Sequence, residues 1–297
     1  MPHLTAICLA LLLAATPPPA STGRTAPADA ARTIVEAERA FAASVRARGV
    51  RDGFLEWIAA TGIVFKPGPV IGAAFYERQP AGWNGLLDWR PAYAAISADG
   101  KLGWSTGPWT FRRDSTQKQA DAHGQYMSLW RRSAGGSWKV VLDGGIAHPA
   151  PASESGAVRY SAPVRAPGLG SRPLAARKSL YQADASFARL AATEGVPAAL
   201  GHYATDDLIA LRGGAFRHSG RNAAITALTA RESKARLVST AQHISGSGDL
   251  GYTYGSWLSG PEAAPDSAWY VHVWHRGPAA TWRLALQLVM PVPPAAK

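Results

Sequence analysis

Near the start of the chain Ile34, Ala37, Phe41, Ala42 and Val45 recur at helical spacing, with Glu36, Arg39 and Arg46 elsewhere on the wheel, and Gly49 stops the pattern. A second short helix is expected over Gly53 to Ala60, before an apolar segment Ile63-Val64-Phe65 closed by Pro67-Gly68. After a less regular stretch, in which Trp83 to Trp89 reads as a third helix, the period drops to two. Ala92–Ile96, Leu102–Arg112, Gly124–Arg132 and Trp138–Gly145 read as strands, and Asp99-Gly100 and Gly135-Gly136 supply turn residues that tolerate positive φ. Helices first and then a meander of long strands predict an α+β domain, with helices on one face of a curved antiparallel sheet. Strict alternation in the last strand puts Trp138, Val140 and Leu142 on one face and Lys139, Val141 and Asp143 on the other.

The second half of the chain repeats the first at a shift of 144 to 148 residues. Gly103-Trp104-Ser105-Thr106-Gly107-Pro108-Trp109 returns as Gly251-Tyr252-Thr253-Tyr254-Gly255-Ser256-Trp257. Tyr126 to Trp130 returns as Tyr270 to Trp274, and Trp138 to Leu142 as Trp282 to Leu286. Upstream, Phe41, Gly49, Phe54, Trp57, Ile63 and Phe65 align with Phe187, Gly195, Leu200, Tyr203, Ile209 and Leu211. The expected organisation is therefore a domain over residues 31–150, a Pro/Ala/Ser/Gly-rich linker over 151–174 and a second copy over 175–292.

Residues 1–30 read as a leader: an apolar run from Leu9 to Ala15, too short to span a bilayer, precedes small residues at Ala26, Ala28 and Ala30 that offer cleavage sites. The expectation is an exported protein, periplasmic or secreted, with no membrane span once the leader is removed. The single cysteine, Cys8, lies in that leader, which excludes disulfides, thiolate catalysis and cysteine-ligated metal from the mature chain. At 297 residues and 47% apolar content the chain is long enough for two domains with cores of their own. The formal charge of +11 is spread along it without a basic stripe or a reading motif, so nucleic acid is not an expected partner.

Each copy resembles a nuclear transport factor 2-like domain of the SnoaL-like type, also collected under domain of unknown function 4440. The residues that carry the resemblance are Arg48-Gly49-Val50, the Trp57 to Phe65 step, Ser97 to Gly103 before Gly107-Pro108-Trp109, and Tyr126 to Arg132 with Trp138 to Asp143. In the second copy Tyr203-Ala204-Thr205-Asp206-Asp207 matches the family's acidic step, from which Trp57-Ile58-Ala59-Ala60-Thr61 departs. The resemblance implies two tandem cone-shaped domains, each with a pocket between a concave sheet and its helices. The scaffold itself serves isomerases, cyclases, dehydratases, binding proteins and dimerisation modules alike.

Asp143, the one carboxylate in the core strands of the first copy, reads either as a general base in such a pocket or as a strand-end carboxylate held by a backbone or Arg hydrogen bond. Its counterpart is Gln287. In the second copy His272, alternating with Tyr270 and Trp274, is the acid-base candidate beside a structural reading of the same residue. Trp57, Trp104, Tyr126, His123, Tyr203, Tyr252, Tyr270 and Gln287 are the expected ligand-binding residues, most of them also core anchors. No histidine stands at zinc-helix spacing with a carboxylate, and the glycine turns lack phosphate-loop or dinucleotide spacing, so neither metal nor cofactor is expected. Two readings remain. One is a small-molecule or partner-binding protein whose two copies pack as an intramolecular pseudo-dimer; the other is a cofactor-independent isomerase, cyclase or hydrolyase.

Overall fold

The computed structural model describes residues 27–82, 85–151, 156–161, 173–277 and 279–293. The leader ahead of residue 27, Trp83 and most of the linker lie outside the described residues. The first unit opens with helix α1 (Pro27–Trp57), broken at Gly49, whose φ of 83° a helix cannot continue through. Ile34, Phe41 and Val45 are buried as the periodicity requires. Helix follows directly on the break and gives way at Ile58 to β1 (Ile58–Phe65), so Ile58 to Ala60 are strand and not the end of a second helix.

Strand β2 (Pro69–Ile71), helix α2 (Gly72–Glu77), β3 (Leu86–Trp89), β4 (Tyr93–Ile96), β5 (Leu102–Arg112), β6 (Ala122–Arg132), β7 (Trp138–His148) and β8 (Arg159–Ser161) complete the unit. Of the helix expected over Trp83 to Trp89, residues 83 and 84 lie outside the described residues and Leu86–Trp89 is corrected to strand β3, whose backbone pairs with β5 from Leu86↔Arg112 to Trp89↔Trp109. The sheet order is β2-β1-β7-β6-β5-β4-β8, with β3 also on β5. It is mixed rather than purely antiparallel, because β1 leaves the helix running the same way as β7 and pairs with it in parallel, as β8 does with β4.

The second unit has the corresponding order. Helices α3 (Pro173–Thr193) and α4 (Val196–Tyr203) lead into β9 (Ala204–Arg212). Strand β10 (His218–Ser219) and helix α5 (Arg221–Thr226) then precede the meander β11 (Ala235–Ile244), β12 (Leu250–Ser259), β13 (Asp266–Arg276) and β14 (Trp282–Pro291). Its sheet runs β10-β9-β14-β13-β12-β11.

In each unit one sheet face packs on the helices through a core that includes Phe41 with Trp130, or Phe187 with Trp274. The opposite faces share a third apolar layer containing Met127, Leu129 and Leu142 of the first sheet and Val271, Leu286 and Leu288 of the second. Trp104 Nε1 donates across this layer to His275 Nε2 at 3.0 Å, which requires an unprotonated nitrogen, and burial indeed pushes the His275 pKa down to about 4. At its edge the Ala98 amide donates to Asp249 at 2.8 Å and the Ser247 amide to Asp99 at 3.1 Å.

Candidate functional site

The alternation expected in β7 is interrupted. Leu129 pairs with Leu142 but Trp130 pairs with Val140, so Val141 is an extra residue in a bulge. Val141 and Leu142 consequently both face the inter-sheet layer, while Val140 and Asp143 face the helices. The bulge thus turns Asp143 into a cavity of about 840 Å³ between α1, α2 and strands β1, β3, β5, β6 and β7. Its apolar wall is built from Phe54, Phe75, Tyr76, Trp89 and Trp109, and Met290 of β14 reaches in from the second unit. Arg48, Arg51, Asp52 and Lys66 stand around it, brought there by the break at Gly49 and the end of β1.

Asp143 is half-buried and accepts a hydrogen bond from Ser128 Oγ at 2.9 Å. Burial raises its pKa to about 7, a second carboxyl on Glu38 adds to the rise, and Ser128 and Lys66 oppose it. Glu38, on α1, is fully buried and accepts from Trp89 Nε1 at 2.6 Å, Trp130 Nε1 at 3.0 Å and Ser105 Oγ. Desolvation lifts its pKa as well, against the hydrogen bonds from Ser105, Trp89 and Trp130. Tyr76 and Tyr126 are pushed upward by burial and by the same negative field. The Tyr126 hydroxyl is buried without a hydrogen-bond partner at ordinary geometry. Chemically this is an aromatic chamber with one near-neutral carboxyl at its depth, poised to accept or return a proton or to bind a polar group.

The equivalent place in the second unit is occupied by protein. Asp184 on α3 accepts from Thr253 Oγ1 at 2.8 Å, Tyr270 Oη at 2.9 Å and His272 Nδ1 at 3.0 Å. His272 Nε2 receives the Gln287 amide at 3.0 Å, and Arg212 donates in turn to the Gln287 carbonyl. Arg212 also meets Glu232 at 3.4 Å and lies 5.5 Å over the Trp257 ring. Burial lowers its pKa to about 10 against the pull of Glu232, and all of Asp184, Arg212, His272 and Gln287 are buried.

Among the expected residues, Asp143 and Tyr126 line the cavity, and His272, Tyr270 and Gln287 meet in the second-unit network. Trp57 packs beside Phe41 and Trp130, with its indole nitrogen buried and unpaired, and Tyr203 packs between Phe187 and Trp274. Trp104 and Tyr252 lie in the layer between the sheets, and His123 pairs with His148 across β6 and β7. The residues that the strand pattern did not nominate are Glu38 and Asp184. Each is an acid within the apolar stripe of its helix, between Ile34 and Phe41 or between Leu180 and Phe187, and that recurrence was the available signal. Among the described residues no group of His, Cys, Asp and Glu is arranged to hold a metal ion, and no helix is long and apolar enough to cross a membrane.

No protein-family model matches the chain and no curated protein does. Several solved structures are similar over about two-fifths of it. A ketosteroid isomerase-like protein from Erwinia carotovora is 12% identical, covering 40% of this chain and 97% of its own, with a TM-score of 0.35. A nuclear transport factor 2-like protein of unknown function from Pseudomonas putida is 16% identical over 39% of this chain and 86% of its own, with a TM-score of 0.31. A protein from Catenulispora acidiphila in complex with S-DNPA is 18% identical over 39% and 93%, with a TM-score of 0.33. At these identities and TM-scores the likenesses assign nothing to this chain, whose α+β architecture and site chemistry rest on its own residues.

Proposed function

We propose that the protein binds a small, ring-bearing and largely apolar molecule in the cavity of its first unit. The observation that carries this reading is the placement of Asp143, a carboxyl at the depth of a chamber of about 840 Å³ whose walls are otherwise mostly aromatic and aliphatic. That volume lies in the ordinary range for a small-molecule site. The second unit serves as a structural partner, its interior taken up by the Arg212–Gln287–His272–Asp184 chain. The shared apolar layer supports reading the pair as an intramolecular counterpart of a dimer, derived by duplication of one domain. The leader pattern supports export to the periplasm or beyond.

A second reading, a cofactor-independent proton-transfer enzyme of the isomerase, cyclase or hydrolyase sort, is favoured by one specific feature. Asp143 is held near neutrality beside Ser128 and Glu38, where a carboxyl can exchange a proton with a bound carbon acid or hydroxyl. The test of the binding reading is a thermal-shift screen of the full chain against ring-bearing small molecules, repeated on Leu87→Trp, which fills the cavity from β3. Ligands that stabilise the natural chain and lose their effect on Leu87→Trp support it; ligands that stabilise both alike overturn it.

A further inference from the structure

The two units place different residues at equivalent positions, and the difference indicates what the open cavity accepts. Asp143 stands opposite Ser128 on β6 and Val64 on β1, while Gln287 stands opposite His272 on β13 and Ala210 on β9. Lys66 lies two residues beyond Val64 as Arg212 lies two beyond Ala210. Trp109 follows Gly107, which pairs with Tyr126, as Trp257 follows Gly255, which pairs with Tyr270.

In the second unit the Arg212 guanidinium therefore sits between the counterparts of Asp143 and Trp109, bonded to Gln287 and lying 5.5 Å over Trp257. In the first unit Lys66 is exposed, its ammonium 5.6 Å from the Phe75 ring, and the corresponding interior is open. The cation that the second unit buries among its own partners stays exposed in the first, as Lys66, and the place beside Asp143 is open. The carboxylate of Asp143 also offers a stronger counter-charge than the Gln287 amide does.

Resting on the reading of this cavity as a ligand site, we infer that its ligand is a hydrophobic organic cation. A protonated amine or guanidinium lies between the Asp143 carboxylate and the Trp109 face, and the ring system lies against Phe54, Phe75 and Trp89. Carboxylate plus aromatic faces is the chemistry that recognises such groups, each ring contact being worth most where water is excluded. Two of the three cations on the cavity wall have carboxylate partners of their own. Arg51 is paired with Asp52 at 2.7 Å and Arg48 with Glu56 at 2.9 Å, and Glu38 behind Asp143 adds negative potential. Lys66 at the rim is the opposing cation, and its exposure lets solvent screen it.

The test uses the full chain and three biphenyls that differ in one substituent: aminomethyl, hydroxymethyl or carboxylate. Isothermal titration is expected to give the amine an affinity about tenfold above the alcohol, with the carboxylate weakest. Asp143→Asn should erase the preference of amine over alcohol while changing the alcohol's own affinity by less than about threefold. Trp109→Leu should weaken the amine more than the alcohol. An alcohol or carboxylate that binds as tightly as the amine, or a preference that survives Asp143→Asn, overturns the cation assignment and leaves the cavity as a site for neutral molecules. Failure of all three probes to bind overturns the cavity reading together with it.

Discussion

Replacing Asp143 by Asn should stabilise the protein, and do so in a pH-dependent way. The Asp143 carboxyl titrates at about 7 in the fold against an ordinary value of 3.8. Between those limits the native state holds a proton that the unfolded chain has released, so native stability falls as pH rises through the window and is fully retained below it. A gap of about 3 pH units at about 1.4 kcal/mol each sets an upper bound of about 4 kcal/mol. Glu38 from α1 adds to the rise, Ser128 from β6 and Lys66 beyond β1 oppose it, and the Tyr76 and Tyr126 phenols stay protonated throughout. Asp143 is half-buried and solvent screens part of the effect, so about 2 kcal/mol is the expected gain near pH 8, falling to about zero near pH 4. Asn can still accept from Ser128 and creates no cavity. Urea unfolding of both chains across this range, followed by tryptophan fluorescence, measures the difference directly. A difference that does not vary with pH, or a natural chain that is the more stable one near pH 8, would refute the reasoning.

Three further outcomes follow from the same geometry. Glu38→Ala leaves the Trp89 indole and the Ser105 hydroxyl buried without their acceptor and the Trp130 indole with Ser105 Oγ alone, and should cost about 3–5 kcal/mol, read by calorimetry, with Glu38→Gln recovering part of it; an unchanged melting temperature would contradict the role. Asp184→Ala strips Thr253, Tyr270 and His272 of their acceptor and should destabilise by a similar ~3–5 kcal/mol, yet leave ligand affinity in the first-unit cavity within about twofold; a large loss of affinity would show that the units are coupled. Met290→Trp, changed on β14 of the second unit, should exclude the bulkiest ligands by about tenfold while smaller ones bind as before, because Met290 is part of the cavity wall. Equal affinities for large and small ligands would remove Met290 from that wall.

Much of the fold was legible because burial imposes periods. The stripe Ile34–Phe41–Val45 is the direct imprint of one buried face on a helix, whereas β5 and β6 are buried without a break over Leu102–Gly107 and Gly124–Trp130 because both faces of the sheet are covered. What escaped was set by pairing and not by period. Leu86 to Trp89 looks as helical as it does extended, and its backbone partner on β5 decides the matter. Helix α2 is six residues long and begins at a glycine, too short to leave a pattern. The bulge at Val141 cannot be read from a strand taken alone, since it is defined by the neighbour's register, and it is what aims Asp143 at the helices. Asp143, His272 and Gln287 stood out as polar residues in apolar strands. Glu38 and Asp184 did not, because an acid within a helical stripe has the same appearance as an exposed one until the indoles, hydroxyls and imidazole that satisfy it are brought around it.

The contrast between the units is a contrast in what fills one volume: solvent-accessible space beside Asp143 in one, and the Arg212 side chain with its partners in the other. Buried polar chains of this kind hold their members in one arrangement, whereas a cavity is destabilising unless something occupies it. The most direct measurement is a crystal structure of the full chain grown with a ring-bearing ligand from the screen. The account predicts density in the first unit alone, against Asp143 and Trp109, with Arg212 still bonded to Gln287 in the second. Ligand seated in the second unit, or bound elsewhere with the first cavity empty, would contradict it.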